Sequence, residues 1–397
     1  MRVESGRWVS EVSALRLLGL VGAIALGAAC IELPGQNNDA DGSGGSLGGD
    51  AEGWQVLGTH PCLEYRVDAM LVEQGGEQLW LGCGSGSTGY GLFHSDDGGA
   101  SWDLARTEPH DYFATFRVND IKRGADGLLY VAGAQHPGSD MAVRVDTDAS
   151  PFAVSSILGR GTQHFASFQV GGFQIDDDGW AIAVSLTGTD LMVREHADAD
   201  FAPAQDWSST GRAFQILGTA LHEGVFYGSG STIADTFRLF LPAHNSGDAF
   251  QLDVLGFEGT RGELWGLAID ASGIAAAGVE QRTNHAAVVT GPLDGRTEAD
   301  FFVHDLRPVL RQDAPSRLYG VCRQGERILA LGDYSTRSHG LALLSTDNGA
   351  SFREVTTGEE SNGGPSPILD RCAFLDDSTV VIAGGQGFVA RFSLGSR

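Results

Sequence analysis

The stretch Leu341–Phe352, LALLSTDNGASF, decides the fold, because a near copy, YGLFHSDDGGASW, occupies Tyr90–Trp102 close to the other end of the chain. Both copies consist of an apolar strand followed by the pattern Ser-x-Asp-x-Gly-x-Ser-aromatic. The Asp carboxylate can accept backbone N–H bonds inside its own turn, and the Gly supplies a positive φ. The pattern therefore predicts a turn that closes a β-hairpin. Its positions are Ser95, Asp97, Gly99, Ser101 and Trp102, and then Ser345, Asp347, Gly349, Ser351 and Phe352.

This motif resembles the Asp-box, or BNR repeat, of sialidase-like β-propellers. In the proteins that it resembles, the box lies on the face away from the binding site. The resemblance therefore implies that Asp97 and Asp347 form structural turns and take no part in binding or catalysis.

A unit of roughly fifty residues repeats along the chain, which is the length of a four-stranded propeller blade. Its clearest part is a short strand, a turn rich in Asp, Gly and Ser, and an apolar strand that ends in a small residue. The seven copies of this block are residues 65–82, 116–133, 168–185, 212–228, 261–278, 315–332 and 367–384. The sequence predicts an all-β, seven-bladed β-propeller over residues 54–397, in which the N-terminal strand Trp54–Leu57 completes the last blade.

The chain is strongly acidic, with 26 Lys and Arg against 51 Asp and Glu and a formal net charge of -25. Phosphate backbones would repel such a surface, so the composition argues against nucleic acid as a partner unless Arg is concentrated in one patch. The 57 Gly and 12 Pro among 397 residues fit many tight turns in one large domain.

The N-terminus has the features of a bacterial lipoprotein signal over residues 1–30. Three arginines precede the apolar run Leu17–Ala29, and small residues lead into Cys30. We expect lipidation at Cys30, a flexible acidic and Gly-rich tether over residues 31–53, and an outer-membrane location with the lipid as the only membrane contact. Gly27 stands where lipoprotein signals usually carry Leu, so an ordinary secretory signal is the alternative.

Four further cysteines follow, which in an exported chain predicts two disulfides with three possible connectivities. Their repeat positions favour Cys62 with Cys83 and Cys322 with Cys372.

The loops that open on the face opposite the Asp-boxes carry the candidate binding side chains. These candidates are His110, Tyr112, His136, Arg282, His285, Tyr334, Arg337 and His339. The histidines come from several blades and lack the short spacing that assembles a metal site, so we expect no metal and no cofactor. Arg66, Arg117, Arg317 and Arg371 fall on or beside the predicted inner strands and could line the mouth of the channel.

Sialidases use an arginine triad, a Tyr nucleophile with a Glu partner, and an Arg-Ile-Pro stretch near the N-terminus. The nearest stretches here, around Arg66 and Arg117, lack the Pro. We therefore expect a non-catalytic binding or scaffold protein for a protein or glycan at the cell envelope. The alternative is a sialidase-like glycoside hydrolase or lyase, which needs paired carboxylates about 5 to 9.5 Å apart. Candidates for that pair are Asp111, Asp140 and Asp333.

Overall fold

A computed structural model describes the chain from residue 53 to residue 394 with gaps. The described residues are 53–57, 62, 65–73, 75–85, 88–110, 112–135, 140–159, 169–186, 190–204, 214–232, 236–242, 252–310, 314–335, 339–355 and 368–394. The predicted signal, the lipidated Cys30 and the tether up to residue 52 lie outside them.

Nearly all regular structure in this part of the chain is β-strand. The first strands are β1 (Gly53–Val56), β2 (Arg66–Val72), β3 (Leu79–Ser85), β4 (Thr88–Ser95), β5 (Asp103–Leu104), β6 (Thr107–Glu108), β7 (Phe116–Arg123), β8 (Leu129–Gln135), β9 (Asp140–Asp146) and β10 (Phe152–Gly159). They are followed by β11 (Val170–Ile175), β12 (Ala181–Ser185), β13 (Leu191–Arg194), β14 (Ala202–Pro203), β15 (Phe214–His222), β16 (Val225–Thr232), β17 (Thr236–Pro242) and β18 (Leu252–Asp270).

The remaining strands are β19 (Gly273–Glu280), β20 (His285–Gly291), β21 (Phe302–Asp305), β22 (Ser316–Gln324), β23 (Arg327–Tyr334), β24 (His339–Ser345), β25 (Arg353–Val355), β26 (Leu369–Phe374), β27 (Thr379–Gly384) and β28 (Val389–Ser393). Short 3-10 helices cover Tyr112–Ala114, Glu298–Asp300, Arg307–Val309 and Gly385–Gly387. None of the described helices has the length and apolar character needed to cross a membrane.

The strands form antiparallel sheets in chain order. Four-stranded sheets are β2-β3-β4-β5, β11-β12-β13-β14 and β22-β23-β24-β25, and β7 to β10 carry β6 as an added parallel strand. Strands β15 to β21 form one continuous sheet, because the first part of β18 pairs with β17 and the part from Gly262 onward pairs with β19. The repeats that begin with residues 212–228 and 261–278 are separate in the sequence, and the long strand β18 joins them into one sheet.

The last sheet has the order β1-β28-β27-β26, so the N-terminal strand completes it, as the sequence predicts. Trp54 pairs with Phe392 across β1 and β28, and their rings lie 4.7 Å apart. Because the two ends of the described chain share one sheet, they hold each other in place.

Apolar cores lie between the faces of consecutive sheets. One cluster joins Leu79 and Leu81 of β3 to Val381 of β27, so the last sheet also packs on the first. Small residues such as Ala330 and Ala342 let neighbouring sheets approach closely within these cores. Each sheet therefore buries both faces against its neighbours, which an isolated sheet could not do.

Both predicted cysteine pairs are at disulfide distance. Cys62 and Cys83 have Cα atoms 5.8 Å apart, and those of Cys322 and Cys372 are 5.7 Å apart. The second pair joins β22 to β26 and therefore links two consecutive sheets.

Candidate binding site

A β-bulge interrupts the first strand of each four-stranded repeat at the same place. These first strands are β2, β7, β11, β15, the part of β18 from Gly262 onward, β22 and β26. In β2, for example, Val67 pairs with Cys83 and Ala69 pairs with Gly82, which leaves Asp68 as the extra residue. The corresponding extra residues are Asp68, Asn119, Gly171, Leu217, Trp265, Tyr319 and Asp370. A bulge changes the direction of one side chain, so these seven positions form a series distinct from the sheet faces.

Glycines bring the bulged strands against one another. A Cβ on Gly320 would lie 2.0 Å from the carbonyl oxygen of Asp370, and one on Gly218 would lie 2.9 Å from that of Trp265. No side chain fits at these distances, so the first strands of consecutive sheets lie side by side with their bulges adjacent.

Arginines and aspartates from three of these strands form a connected cluster. The Arg66 Nη2 donates to Asp370 Oδ1 at 2.6 Å, and the Arg117 Nε donates to Asp68 Oδ2 at 3.1 Å. Arg371 donates from Nε to the backbone oxygen of Asp68 at 2.8 Å. We call Arg66, Asp68, Arg117, Arg317, Tyr319, Trp265, Asp333, Asp370 and Arg371 the arginine-aspartate cluster.

Burial differs sharply within this cluster. The Asp370 side chain is completely buried, whereas that of Arg66 is 45% exposed. Burial raises the pKa of Asp370, and the guanidinium groups of Arg66 and Arg371 oppose that rise. Arg66 therefore pairs with a buried carboxyl while nearly half of its side chain remains exposed to solvent.

An aromatic pair completes the cluster. Trp265 and Tyr319 stack with centroids 5.3 Å apart, and the Arg66 guanidinium carbon lies 5.5 Å from the Tyr319 ring centre. The Tyr319 hydroxyl donates to Asp333 Oδ1 at 3.3 Å. Burial raises the pKa of Tyr319 and that of Asp333, and the charge of Asp333 raises the pKa of Tyr319 further. At neutral pH Tyr319 is therefore a phenol, not a phenolate.

The cluster offers hydrogen-bond donors and an aromatic surface to a ligand. Arg66 and Arg317 are exposed, and Trp265 and Tyr319 are half-buried. Such a set suits an acceptor-rich group lying against a flat or apolar one. Within the described part of the chain, no group of three or more His, Cys, Asp or Glu side chains is placed to hold a metal ion.

The loop-face candidates fall into separate places. His110 is exposed in the turn after β6. Tyr112 is half-buried, and its hydroxyl donates to Asp140 Oδ2 at 2.5 Å, so burial, together with Asp140, raises the pKa of Tyr112. The contact between Tyr112 and Asp140 joins two of the residues that the sequence singled out.

Other candidates lie at the ends of strands. Arg282 is exposed in the turn between β19 and β20, and His285 begins β20 half-buried. His339 begins β24 and pairs with Tyr334 across the sheet. His136, Arg337 and Asp111 lie outside the described residues.

The expectation of an exposed Tyr334 is wrong. Only 1% of this residue is exposed, and its hydroxyl donates to Glu354 Oε2 at 2.7 Å. The strand β23 extends through Tyr334, so the side chain alternates into the core between sheets instead of standing in a loop.

Sequence reasoning placed Arg66, Arg117, Arg317 and Arg371 near the inner strands but missed four members of the cluster. Asp68, Trp265, Tyr319 and Asp370 all occupy the bulge position. When the repeated blocks are aligned, these residues share one column, which varies in chemistry while the column before it is always Val, Ile or Leu. That column was the signal for the site.

No protein-family model and no curated protein sequence matches the chain. Solved structures do resemble it. YCF48 from Cyanidioschyzon merolae has a TM-score of 0.58 at 13% identity, with 86% of this chain and 98% of that chain covered. The virginiamycin B lyase from Staphylococcus aureus with quinupristin has a TM-score of 0.58 at 10% identity and covers 87% of this chain and 100% of that chain.

A third similar structure is the WD40 β-propeller domain of Doa1, with a TM-score of 0.55 at 12% identity over 86% of this chain and 97% of that chain. Identities this low establish the fold alone. The fold of the described chain is a β-propeller.

Proposed function

We propose that this protein is a non-catalytic binding or scaffold protein that takes its ligand at the arginine-aspartate cluster. One observation carries the proposal: the exposed residues Arg66 and Arg317 both interact with Tyr319 of the Trp265–Tyr319 stack, and Arg66 also pairs with the buried Asp370 carboxyl. Arg, Trp and Tyr are the residues that most often dominate binding energy at protein interfaces.

The ligand class that fits this surface is a protein or glycan that presents hydrogen-bond acceptors next to a flat apolar group. A protein ligand is favoured by analogy, since a similar propeller, YCF48, is known bound to a D1 peptide. The analogy rests on fold and is therefore weaker than the geometry of the cluster.

We propose a ring of seven blades of the Asp-box, sialidase-like type. Seven consecutive four-stranded units support the count if β18 is divided at Gly262 between two of them. The two Asp-box turns support the type. In such a ring the first strands surround the central channel, which would place the arginine-aspartate cluster at one end of the channel.

We further propose that the protein is exported and anchored by lipid at Cys30 in the outer membrane, with secretion as the alternative. The support is the N-terminal sequence together with two cysteine pairs at disulfide distance, which suit an oxidising compartment. Palmitate labelling of the wild-type protein and of Cys30→Ser tests this, and label retained in the variant would contradict it.

A glycoside hydrolase or lyase is the second candidate, because Tyr319 and Asp333 place a phenol and a carboxyl together among arginines. The raised pKa of Tyr319 argues against it, since a nucleophilic Tyr needs its proton removed easily. The pKa of Asp333 is also raised, which would suit a general acid, so this candidate is included in the test.

The test combines binding and turnover on the same purified protein. Peptide and glycan arrays are probed with the wild type and with an Arg66→Ala, Arg317→Ala double variant, and a panel of chromogenic glycosides is assayed in parallel. Binding lost in the double variant without any turnover supports the proposal. Glycoside turnover that disappears in Asp333→Asn would make the protein an enzyme.

A further inference from the structure

A second surface lies beside the Asp-box at the β24–β25 turn and shares no lining residue with the arginine-aspartate cluster. A cavity of about 590 Å³ opens there between this turn and strands β20 and β21 of the preceding sheet unit. The residues that line it are Ser272, Thr290, Gly291, Pro292, Asp300, Phe302, His304, Asp347, Asn348, Gly349 and Ala350.

The apolar part of this cavity is unusually open to solvent. Phe302 is 73% exposed, the highest value for a large apolar side chain among the described residues. It belongs to β21, the outermost strand of its sheet, and stands two residues from His304 on the same side of the strand. An exposed aromatic ring at the rim of a cavity is a usual feature of a docking surface.

The floor of the cavity is rigid. His304 Nε2 and Thr290 Oγ1 are 2.8 Å apart, and the His304 ring packs edge-on against Phe352 with centroids 5.2 Å apart. Gly349 of the Asp-box lies over this pair, because a Cβ there would meet Thr290 at 3.0 Å. The cavity is therefore built into the packing between two sheets.

The charge of the cavity has one sign. Its carboxylates, Asp300 and Asp347, are held by hydroxyl and backbone N–H donors, and no Lys or Arg lines the cavity. These bonds lower the pKa of both carboxyls, and burial lowers the pKa of His304. At neutral pH the carboxylates are ionised and the imidazole adds no opposing charge.

From this combination we infer that the cavity binds a basic, extended segment of a partner protein. An Arg or Lys of that segment would lie between the two carboxylates with its aliphatic stem on Phe302, while its backbone pairs along the outer edge of β21. This gives Asp347 a binding role in addition to the structural one that the Asp-box resemblance implies. Edge strands accept an added strand in this way, and alternate side chains then enter the cavity.

Charge argues against two other occupants. The chain's own segment 31–53 contains Glu32, Asp39, Asp41, Asp50 and Glu52 and no basic residue, so the cavity would repel it. A second copy of a chain with a net charge of -25 would also be repelled.

The test uses a fluorescent nonapeptide of alternating Arg and Val. A nonapeptide of alternating Glu and Val is the control of opposite charge. Fluorescence anisotropy measures their binding to the purified protein and to Phe302→Ser, Asp300→Asn and Leu104→Ser. Leu104 is the control because it is 48% exposed on another outermost strand, β5, and touches no part of the cavity.

We expect the arginine peptide to bind the wild type and Leu104→Ser equally, and to bind Phe302→Ser and Asp300→Asn at least about tenfold more weakly. The glutamate peptide should not bind. Three results would overturn the inference: no binding of the arginine peptide at millimolar concentration, equal binding by both peptides, or undiminished binding by Phe302→Ser. The last would indicate general attraction to an acidic surface.

Discussion

The two Asp-box turns have the same internal structure and different surroundings. In the first, Asp97 Oδ1 accepts from the Ser101 N–H at 2.8 Å, and Ser95 Oγ accepts from the Gly99 N–H at 2.7 Å. The same two bonds in the second box, made by Asp347 and Ser345, are both 2.9 Å long. The local pattern of Ser, Asp and Gly is therefore sufficient to build the turn.

What covers each box is set by residues outside the turn. At the first, Arg391 of β28 donates from Nη2 to the carbonyl oxygens of Gly98 and Gly76 at 2.9 and 3.3 Å. At the second, Arg323 of β22 donates to Asn348 from within the same sheet, and the neighbouring strand β21 leaves the Phe302 cavity open. One motif thus closes one junction between sheets and borders a cavity at another.

The two boxes show that the structure of the turn and its exposure to solvent have different origins in the sequence. The turn is encoded within eight residues, whereas its exposure depends on which side chain the adjoining sheet supplies. Loss of a hydrogen bond within the turn should therefore act alike in the two boxes, whereas a substitution that meets or removes the surroundings of the turn should act differently.

The largest effect is expected for Arg323→Met at the second box. The Arg323 side chain is 1% exposed and donates to Asp270 Oδ1 at 2.9 Å, so its removal leaves a partly buried carboxylate without its cation. We expect the free energy of unfolding to fall by about 3 kcal/mol in urea titrations. Arg307→Met is the control, since its pair with Asp305 is about half exposed and should contribute less than about 1 kcal/mol.

Alanine in place of the box glycine should destabilise both turns, and the first one more. Gly99 and Gly349 have φ values of 91° and 86°, which cost a side chain about 1 to 2 kcal/mol. A Cβ on Gly99 would also lie 2.7 Å from Leu57, against 3.0 Å from Thr290 for Gly349. Thermal unfolding should show a lower Tm for Gly99→Ala than for Gly349→Ala, and the reverse order would contradict this account of the coverage.

Removing the cover of the first box should have a smaller effect that leaves the second unchanged. Arg391→Met loses two bonds to backbone carbonyls, which together contribute about 1 to 2 kcal/mol. Amide hydrogen exchange should become faster around Gly98 but not around Asn348. Equal acceleration at both places would show that the two boxes are coupled.

The smallest effect concerns acid stability. Hydrogen bonds from Ser101 lower the pKa of Asp97 to about 2, below the value of about 3.9 for an unfolded Asp. Its contribution is therefore complete above about pH 4 and is lost as the pH falls toward 2. Asp97→Asn should unfold more easily at pH 7 and show a weaker loss of stability between pH 4 and 2. An unchanged pH profile would contradict this assignment.

Much of the fold could be predicted from the sequence because its signals are local. Alternating apolar residues, the box turns and the repeat length gave the strands, and the repeat positions gave the cysteine pairs. The closure of the last sheet by Trp54 followed from a strand pattern left over at the N-terminus. Each of these depends on residues close together in the chain or on a regular period.

The site was harder to predict because it depends on register and on contacts between sheets. The bulges at Asp68, Tyr319 and Asp370 bring side chains from distant blocks together, and a period of two residues does not reveal them. The burial of Tyr334 and the exposure of Phe302 depend on where β23 ends and on what faces β21. The long strand β18 likewise hides a boundary between repeats that the sequence shows clearly.

The most direct test of the central claim is the affinity of the strongest array ligand for the wild-type protein and for the Arg66→Ala, Arg317→Ala variant, measured by titration calorimetry. Arg66→Ala removes one cation from the buried Asp370 carboxyl and leaves Arg371, so circular dichroism and thermal unfolding must first show that the variant keeps its fold. We expect the variant to bind at least about tenfold more weakly. Equal affinity would show that the ligand binds elsewhere and that the arginine-aspartate cluster is structural.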